Sequence, residues 1–312
     1  MPSFKIDKTE QLKQNLSLNY VLKYSITLYN KRGMTMLEIP ETMNLSNQIR
    51  RTLTGKRVAW AKANGSEHKF TWYYNNDPEK YSEVLKDKII TDALPFGGML
   101  EVQLEGVKLL FTDGVSLKYL EKAEKRPLKH QLIIEFEDKS ALTATVQMYG
   151  GVWCFTDKDI FDNPYYAAAK EKPCVFTDSF SHEYFMNIIN TPEAEKLSIK
   201  ALMATEQRIP GLGNGVLQDI LWSARINPRK KAYTLKSQEK EKLYLSLKTV
   251  LKSMYDQGGR DTEKDLYGNN GGYKTILSKN TVASPCPACG QTIIKENFLG
   301  GSIYYCPKCQ PK

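Results

Sequence analysis

The stretch QRIPGLGNGVLQDILWSARINPRKKA, residues 207–232, decides how the second half of the chain folds. Four apolar residues follow a proline and three glycines at a spacing that places them on one face of a helix: Val216, Leu217, Ile220 and Leu221. A basic segment, NPRKK, comes directly after this helix. The stretch therefore predicts a tight turn, a core-facing helix and a basic exit.

The glycine-rich turn also predicts an anion site. Glycines at a helix N terminus bring backbone N–H groups close to a ligand, and such a position suits a phosphate. Gly211 and Gly213 would supply this close approach, and Asn214 would add a side-chain donor. A glycine turn before a helix is more often only a turn, but the basic Arg229 and Lys230 downstream favour binding to DNA.

The rest of the chain divides into a β-rich part and a helical part. Residues 99–114, 130–151 and 152–155 alternate apolar and polar side chains and are separated by turn signals, which predicts a sandwich or barrel. The polar, proline-containing residues 156–180 are expected to be a linker and the entry to the helical part. From residue 181 the apolar spacing is helical, with a second stripe formed by Leu243, Leu247, Val250, Leu251 and Met254.

Length and composition limit the possible architectures. A chain of 312 residues suits two domains and a small appendage, so we expect an α+β multidomain protein. The expected units are an N-terminal extension over 1–35, a β-sandwich over 36–160, a helical domain over 175–275 and a metal finger over 276–312. Because the sequence has no run of 18 apolar residues and no signal-peptide pattern, we expect a soluble cytoplasmic monomer without membrane contact.

Basic residues are concentrated in the C-terminal third. Residues 196–312 carry 19 Lys and Arg against 9 Asp and Glu, a net charge of +10 within a whole-chain charge of +9. Such a surplus favours a polyanionic partner, because Lys and Arg that neutralise phosphates release condensed counterions. Solvated basic helix faces would explain the same count equally well.

Four of the six cysteines form a pattern typical of a metal site. Cys286, Cys289, Cys306 and Cys309 have the spacing C-x2-C-x16-C-x2-C, which places four thiolates around one structural Zn²⁺. Two disulfides are the alternative, but the sequence carries no export signal. The remaining two, Cys154 and Cys174, are expected to be buried small apolar residues.

In this order the motifs resemble one known family. A helix, the PGLGN turn, a helix, INP and a C-terminal four-cysteine ribbon resemble the helix-two-turn-helix and zinc-finger half of the formamidopyrimidine-DNA glycosylase/endonuclease VIII family. Residues 36–56, MLEIPETMNLSNQIRRTLTGK, are similar to the family's Met-Pro-Glu-Leu-Pro-Glu, helix and Gly-Lys. Residues 85–106 and 129–153 resemble strands of its β-sandwich, so the resemblance extends over about residues 36–312.

The resemblance implies a repair mechanism. Members clamp duplex DNA, flip a damaged base out of the stack, form a Schiff base between an N-terminal amine and the sugar C1′, and cleave the strand by elimination. Glu38 and Glu41 fall on the family's two early glutamates, the first of which assists sugar ring opening. Wedge residues fill the gap left by the flipped base, and here the candidates are Gln147, Met148 and Tyr149.

The sequence departs from the family at three positions. Leu37 replaces the catalytic proline, Gly98 stands at the position of a lysine in the sandwich, and Gly301 stands at the position of an arginine in the zinc hairpin. The two early glutamates also fit ordinary first-turn carboxylates of a helix. The sequence is therefore compatible with three functions. These are a DNA glycosylase and AP lyase of base-excision repair, a zinc-containing binder of damaged DNA with reduced or no catalysis, and an RNA-associated module.

The position of the MLEIPE motif suggests where an amine could come from. Residues 31–33, Lys-Arg-Gly, can be encoded by a purine run that resembles a ribosome-binding site, and the Met36 codon follows closely. We expect translation to begin at Met36, which would supply a primary α-amine as nucleophile. The alternative is a genuine extension, in which residues 18–30 have strand-like character and could pack on the sandwich. The expected setting is a bacterial cytoplasm and its nucleoid.

Overall fold

The computed structural model describes residues 37–74, 77–147 and 149–312. Seven α-helices lie within these residues, namely α1 (Ile39–Leu53), α2 (Tyr81–Leu85), α3 (Pro164–Glu171), α4 (His182–Ile189), α5 (Ile199–Ala204), α6 (Asn214–Ala224) and α7 (Ser237–Asp256). The eleven strands are β1 (Val58–Ala63), β2 (Thr71–Trp72), β3 (Ile90–Phe96), β4 (Met99–Leu104), β5 (Val107–Phe111), β6 (Val115–Leu120), β7 (Leu132–Phe136), β8 (Ala141–Val146), β9 (Gly150–Thr156), β10 (Ile294–Phe298) and β11 (Gly301–Tyr305). The fold is mixed α+β, as the sequence predicts.

The first half is a β-sandwich. One sheet has the strand order β1-β7-β8-β6, the other has the order β2-β9-β5-β4-β3, and each pair is antiparallel except β2 with β9. Apolar residues from both sheets share one buried core, including Val102 and Leu109 from one sheet and Leu117 and Ile134 from the other. Alternation of apolar and polar residues buries one face of each strand, so the two apolar faces pack against each other.

Helix α1 lies between the sandwich and the helical half. Leu45, Ile49 and Leu53 are four residues apart and pack into the sandwich core, whereas Ile39 at its first turn packs into the helical core. The predicted amphipathic run after residue 36 is therefore a helix that contacts both cores. Its first turn is the place where the two halves of the protein meet.

The helical half contains both predicted apolar stripes. Val216, Leu217, Ile220 and Leu221 of α6 are buried, and α7 buries Leu243, Leu247, Leu251 and Met254 against the same core. Helix α6 ends at Arg225, which adopts a left-handed conformation with φ 62°. Within the part of the chain that the structure describes, no helix is long and apolar enough to span a lipid bilayer.

The segment expected to be a linker and the entry to the helical part contains α3, which begins where Asn163 accepts hydrogen bonds from the N–H groups of Tyr165 and Tyr166. A short helix with few apolar positions gives little periodicity to detect. Cys154 is buried as expected, but Cys174 is exposed, because it lies in the chain that leaves α3 rather than in a strand.

Candidate functional site

Glu38 caps a helix that belongs to the other half of the protein. It is the residue before α1, it is buried, and its two carboxylate oxygens accept hydrogen bonds from the backbone N–H groups of Gly215 at 2.9 Å and Val216 at 2.7 Å. These are N–H groups of the first turn of α6, which have no partner inside their own helix. Gly213, the residue before α6, has no side chain with which to cap them. Glu38 therefore supplies the missing cap.

The predicted anion at the glycine turn is thus a carboxylate of the protein itself. A Cβ added to Gly213 would lie 2.2 Å from Glu38 Oε1, so this glycine leaves room for the carboxylate. A Cβ on Gly215 would lie 1.8 Å from a guanidinium nitrogen of Arg260. The sequence predicted a phosphate at these N–H groups, but Glu38, which is 177 residues away along the chain, occupies that position.

Arg260 joins Glu38 to Glu41, which lies in the first turn of α1. Arg260 lies just after α7, is buried, and binds Glu41 in a bidentate manner, with Nε to Oε1 and Nη2 to Oε2 both at 2.9 Å. Its Nη1 lies 3.2 Å from Glu38 Oε2. Buried charges are stable only when they are paired and hydrogen-bonded, and here each group meets that condition.

A second contact between the two halves is made by glycine backbones. Gly97 and Gly98 form the turn between β3 and β4, and this turn packs directly on Pro210 and Gly211. A Cβ on Gly211, whose φ is +77°, would lie 2.2 Å from the carbonyl carbon of Gly97. The two turns approach this closely because three of the four contacting residues are glycines.

The position of the family's lysine is closed to a side chain in this conformation. A Cβ on Gly98 would lie 2.8 Å from the backbone oxygen of Leu37, which is itself buried. A larger residue at 98 would therefore displace the backbone next to Glu38. Met36, whose α-amine was the expected nucleophile, lies outside the described residues.

Asn214 ties α6 to the hairpin formed by β10 and β11. Its Nδ2 donates to the backbone oxygen of Ser302 at 2.9 Å, and its Oδ1 accepts from Gln218 at 3.1 Å. Gln218 completes the link, because its Oε1 accepts the backbone N–H of Tyr304 at 3.0 Å. Gly301, at the arginine position of the family, is the first residue of β11.

The two basic residues after α6 are engaged in ion pairs. Arg229 pairs with Glu296 of β10 at 2.8 Å and stacks on the ring of Phe298, with 4.2 Å between the guanidinium carbon and the ring centroid. Lys230 pairs with Glu239 of α7 at 2.6 Å. Part of the basic surplus of this region is thus neutralised locally, and Arg229 braces the hairpin against the helical domain.

The wedge candidates lie in the connection between β8 and β9. Gln147 is exposed, Tyr149 is partly buried, and Met148 lies outside the described residues. The hydroxyl of Tyr149 lies 3.5 Å from Asp113 Oδ2, in the turn between β5 and β6. Asp113 is a residue that the sequence analysis did not single out.

Asp113 and Glu38 influence each other electrostatically. Burial, together with the negative charge of Glu38, raises the pKa of Asp113 to about 7. Its Oδ1 is buried and has no hydrogen-bond partner among the residues that the structure describes. Burial also raises the pKa of Glu38, although Arg260 opposes this rise. The site therefore holds two carboxyl groups whose pKa values are raised by burial.

The four cysteines of the C-terminal hairpin form a zinc site. Their Sγ atoms all lie within 4.8 Å of one another, with Cys289 and Cys306 3.4 Å apart and Cys286 and Cys309 3.8 Å apart. A tetrahedral zinc with Zn–S bonds of 2.3 Å needs Sγ–Sγ distances of about 3.8 Å, so the four thiols fit one ion. No disulfide joins any two of the six cysteines, and the four Sγ atoms are arranged as the zinc prediction requires. Four protein ligands leave no open position, so the zinc is structural.

Sequence reasoning missed three charged residues: Asp219 and Arg260, which are buried, and Asp113, which is half-buried. Asp219 of α6 accepts the backbone N–H groups of Ile276 and Leu277 at 2.9 and 2.7 Å, which holds the chain that leads to the zinc hairpin. A lone charged residue beside apolar ones in a stripe, as Asp219 is in VLQDIL, was the available signal.

Three features define the class of this protein. A β-sandwich and a helix-two-turn-helix unit meet around a buried carboxyl group, and a zinc hairpin packs on helix α6. Residues 173–264 match the family model of the formamidopyrimidine-DNA glycosylase H2TH domain. Residues 283–312 match the model of the zinc finger found in FPG and IleRS. The second half of the chain thus carries the H2TH domain and the zinc finger of the formamidopyrimidine-DNA glycosylase family.

Individual relatives agree with this assignment. The chain is 28% identical to a formamidopyrimidine-DNA glycosylase of Rippkaea orientalis over 56% of this chain and 62% of that protein. It is 30% identical to one of Prochlorococcus marinus over 59% of this chain and 64% of that protein. The matched segments thus span slightly less than two thirds of these relatives.

Solved structures show the same fold. The Fpg protein of Thermus thermophilus is 21% identical and superposes with a TM-score of 0.72, covering 88% of this chain and 99% of that one. The Lactococcus lactis Fpg, solved in complex with DNA that contains an abasic site, is 20% identical with a TM-score of 0.74, covering 88% of this chain and 100% of that one.

Proposed function

We propose that this protein is a DNA glycosylase and AP lyase of base-excision repair that acts on damaged bases or abasic sites in double-stranded DNA. The observation that carries the proposal is Glu38, a buried carboxyl group held between α1 and the N terminus of α6, where the two halves of the protein meet. A carboxyl group fixed at the junction of the two halves can transfer protons to a nucleotide bound beside it. The proposed setting is the nucleoid of a bacterial cytoplasm.

The proposed chemistry begins with an amine. Its nitrogen attacks C1′ of the damaged nucleotide, the base leaves, the sugar ring opens and a C1′–N imine forms. With an abasic site the same amine condenses with the C1′ aldehyde and one water leaves. A base then removes a proton from C2′, the C3′–O bond breaks, and the 3′ phosphate leaves with the electron pair. We propose the α-amine of a chain that begins at Met36 as the nucleophile, two residues before Glu38.

Glu38 is the proposed proton carrier in this sequence. Ring opening needs a proton on the sugar oxygen, and elimination needs the removal of a proton from C2′. A carboxyl group whose pKa is raised by burial is suited to donate a proton in the first step and to accept one in the second. Glu41, which is bound on both oxygens by Arg260, has the role of holding Glu38 in place.

DNA contacts are proposed on the basic half and on the sandwich turn. Asn214, next to the glycine turn, keeps a second amide N–H for a phosphate while its first one binds Ser302. Gly211, Gly213, Arg229 and Lys230 line the same region but contact the protein's own groups, so their contribution is to shape and hold the surface. Gln147, Met148 and Tyr149 are proposed to fill the gap left by the flipped nucleotide.

Borohydride trapping tests the proposal directly. Borohydride reduces the imine to a stable amine, so an active protein becomes covalently joined to duplex DNA that carries an abasic site. The 312-residue chain and a chain beginning at Met36 are compared for trapping, nicking and binding, and mass spectrometry identifies the joined peptide. We expect trapping by the Met36 form, with the adduct on residue 36.

Two variants distinguish chemistry from binding. Glu38→Gln should lower nicking by about 100-fold or more with little change in affinity, because an amide cannot carry the proton. Glu83→Gln, on an exposed face of α2, is the matched control and should nick normally. If both forms of the chain bind abasic duplex DNA but neither traps nor nicks it, the protein is instead a binder of damaged DNA.

A further inference from the structure

Arg260 connects the two halves of the protein through ion pairs that are almost fully buried. Arg260 lies in the loop that follows α7 in the helical half. Glu38 directly precedes α1, and Glu41 lies in the first turn of α1. Relative exposure is 2% for Arg260, 2% for Glu38 and 5% for Glu41. A guanidinium and two carboxylates at this depth must satisfy one another, because removal from water costs several kcal/mol per ion.

The geometry matches an arginine and not a lysine. Glu41 takes two parallel hydrogen bonds from Nε and Nη2, a fork that only the planar guanidinium presents, while Nη1 remains for Glu38 at 3.2 Å. Gly215 contributes the space, since any side chain there would meet Nη1. One residue thereby sets the distance between the first turn of α1 and the first turn of α6.

The surroundings of Glu38 are mostly acidic. The charged groups that act on it are Glu41 on α1, Asp113 in the turn between β5 and β6, and Arg260 after α7. Asp219 on α6 and Glu263 face Arg260 itself. Without the Arg260 cation, Glu38 would keep only acidic neighbours, Glu41 and Asp113, and would be driven toward the neutral form.

We propose that Arg260 is a positioning residue for the proposed reaction: it orients the Glu38 carboxyl group against α6 through its bidentate bond to Glu41. Because Arg260 and Glu41 come from different halves of the chain, this orientation exists only while the two halves are docked. The inference rests on the proposed function of Glu38, but its coupling to Glu38 can be measured without catalysis.

The first arm of the test is a ¹³C NMR titration of the glutamate carboxyl groups in the full chain. The Glu38 signal is assigned by its loss in Glu38→Gln. In Arg260→Gln the titration midpoint of Glu38 should move to higher pH, because the cation that stabilises the ionised form is gone. Arg260→Lys keeps a charge but loses the fork and should give an intermediate shift.

The second arm measures nicking of abasic duplex DNA against pH. Arg260→Lys should reduce the nicking rate by roughly 10- to 100-fold while affinity changes little, since a small misplacement of a catalytic group is costly. The acid limb of the profile in Arg260→Gln should shift upward with the NMR midpoint. Arg50→Lys, in an exposed pair with Asp92 on α1, is the matched control and should behave as the wild type.

The outcomes separate cleanly. A Glu38 midpoint that stays unchanged in both folded Arg260 variants overturns the inference, whatever the activity. If the wild-type chain neither traps nor nicks DNA while the midpoint moves as expected, the proposed function fails and the coupling of Arg260 to Glu38 stands. If Arg260→Gln does not fold, Arg260→Lys carries the same comparison, because it keeps the charge and loses the fork.

Discussion

Helix α6 is held at two places by opposite means. At its N terminus the helix is capped by Glu38 and approached by Arg260, a buried and charged junction with the sandwich. Along its side, Asn214 and Gln218 bind the zinc hairpin through neutral amides and backbone groups. The first junction is stable only when every charge is matched, whereas the second relies on hydrogen bonds to a hairpin that a metal ion closes.

The difference indicates a division of labour. Buried charged groups add little net stability, but any arrangement that leaves one of them unpaired is strongly destabilised. They therefore define how the two halves dock. A structural zinc site supplies folding free energy directly, so its hairpin needs only a small apolar core, which includes Leu277 and Ile293. Breaking each junction separately should therefore give different losses.

Removal of a zinc ligand should have the largest effect. Cys289→Ser is expected to lose the bound zinc and unfold the hairpin, because structural zinc binding contributes about 10–16 kcal/mol in small zinc domains. Elemental analysis should find one zinc per wild-type chain and none in the variant, whose affinity for DNA should also fall. Cys174→Ser, at an exposed thiol, should keep its zinc. A wild-type protein without zinc, purified without chelator, would contradict the site.

Loss of one charge at the junction should come next. Glu41→Ala leaves Arg260 without its bidentate partner and should lower the free energy of unfolding by about 3–5 kcal/mol. Gln218→Ala, at the neutral junction, should cost about 1–3 kcal/mol. Urea unfolding measures both, and Asp92→Ala in the exposed pair with Arg50 should cost at most about 1 kcal/mol. Equal losses at the two junctions would remove the distinction between them.

The glycine contact should respond to a single methyl group. Gly98→Ala places a carbon 2.8 Å from the Leu37 oxygen and should destabilise the protein by about 1–3 kcal/mol. The displaced backbone leads into Glu38, so nicking should fall more than stability explains. Gly106→Ala, whose added carbon meets no atom within 4 Å, should affect stability through its φ of +71° and leave nicking intact.

The smallest expected effect depends on pH. Asp113 has a pKa of about 7 in the folded protein against 3.8 as its ordinary value, so the folded state binds the proton more tightly. Its ionisation therefore costs stability, and the cost grows as pH rises from about 4 to about 7. Asp113→Asn should raise the melting temperature by roughly 2–6 °C at pH 8 and by less at pH 5. A larger gain at pH 5 would show that the sign is wrong.

Local patterns were readable because their cause is local. The four cysteines bind one metal within 24 residues of chain, and their spacing alone predicts the site. Helices α6 and α7 follow from apolar residues repeated at helical intervals, and the sandwich strands follow from alternation. Short helix α3 escaped because one capping residue, Asn163, decides it more than any periodicity.

Contacts between distant segments were decided by the tertiary structure. Glu38 and Gly215 are separated by 177 residues, and Glu41 and Arg260 by 219. In the sequence, an N-terminal glutamate fits a helix-dipole carboxylate, and a glycine turn fits a phosphate site. Both interpretations are physically sound, but the first turn of a helix offers its N–H groups to whichever anion the fold brings close. Here the packing of α1 on two cores places Glu38 at the N terminus of α6. No local sequence pattern indicates that these two distant segments are in contact.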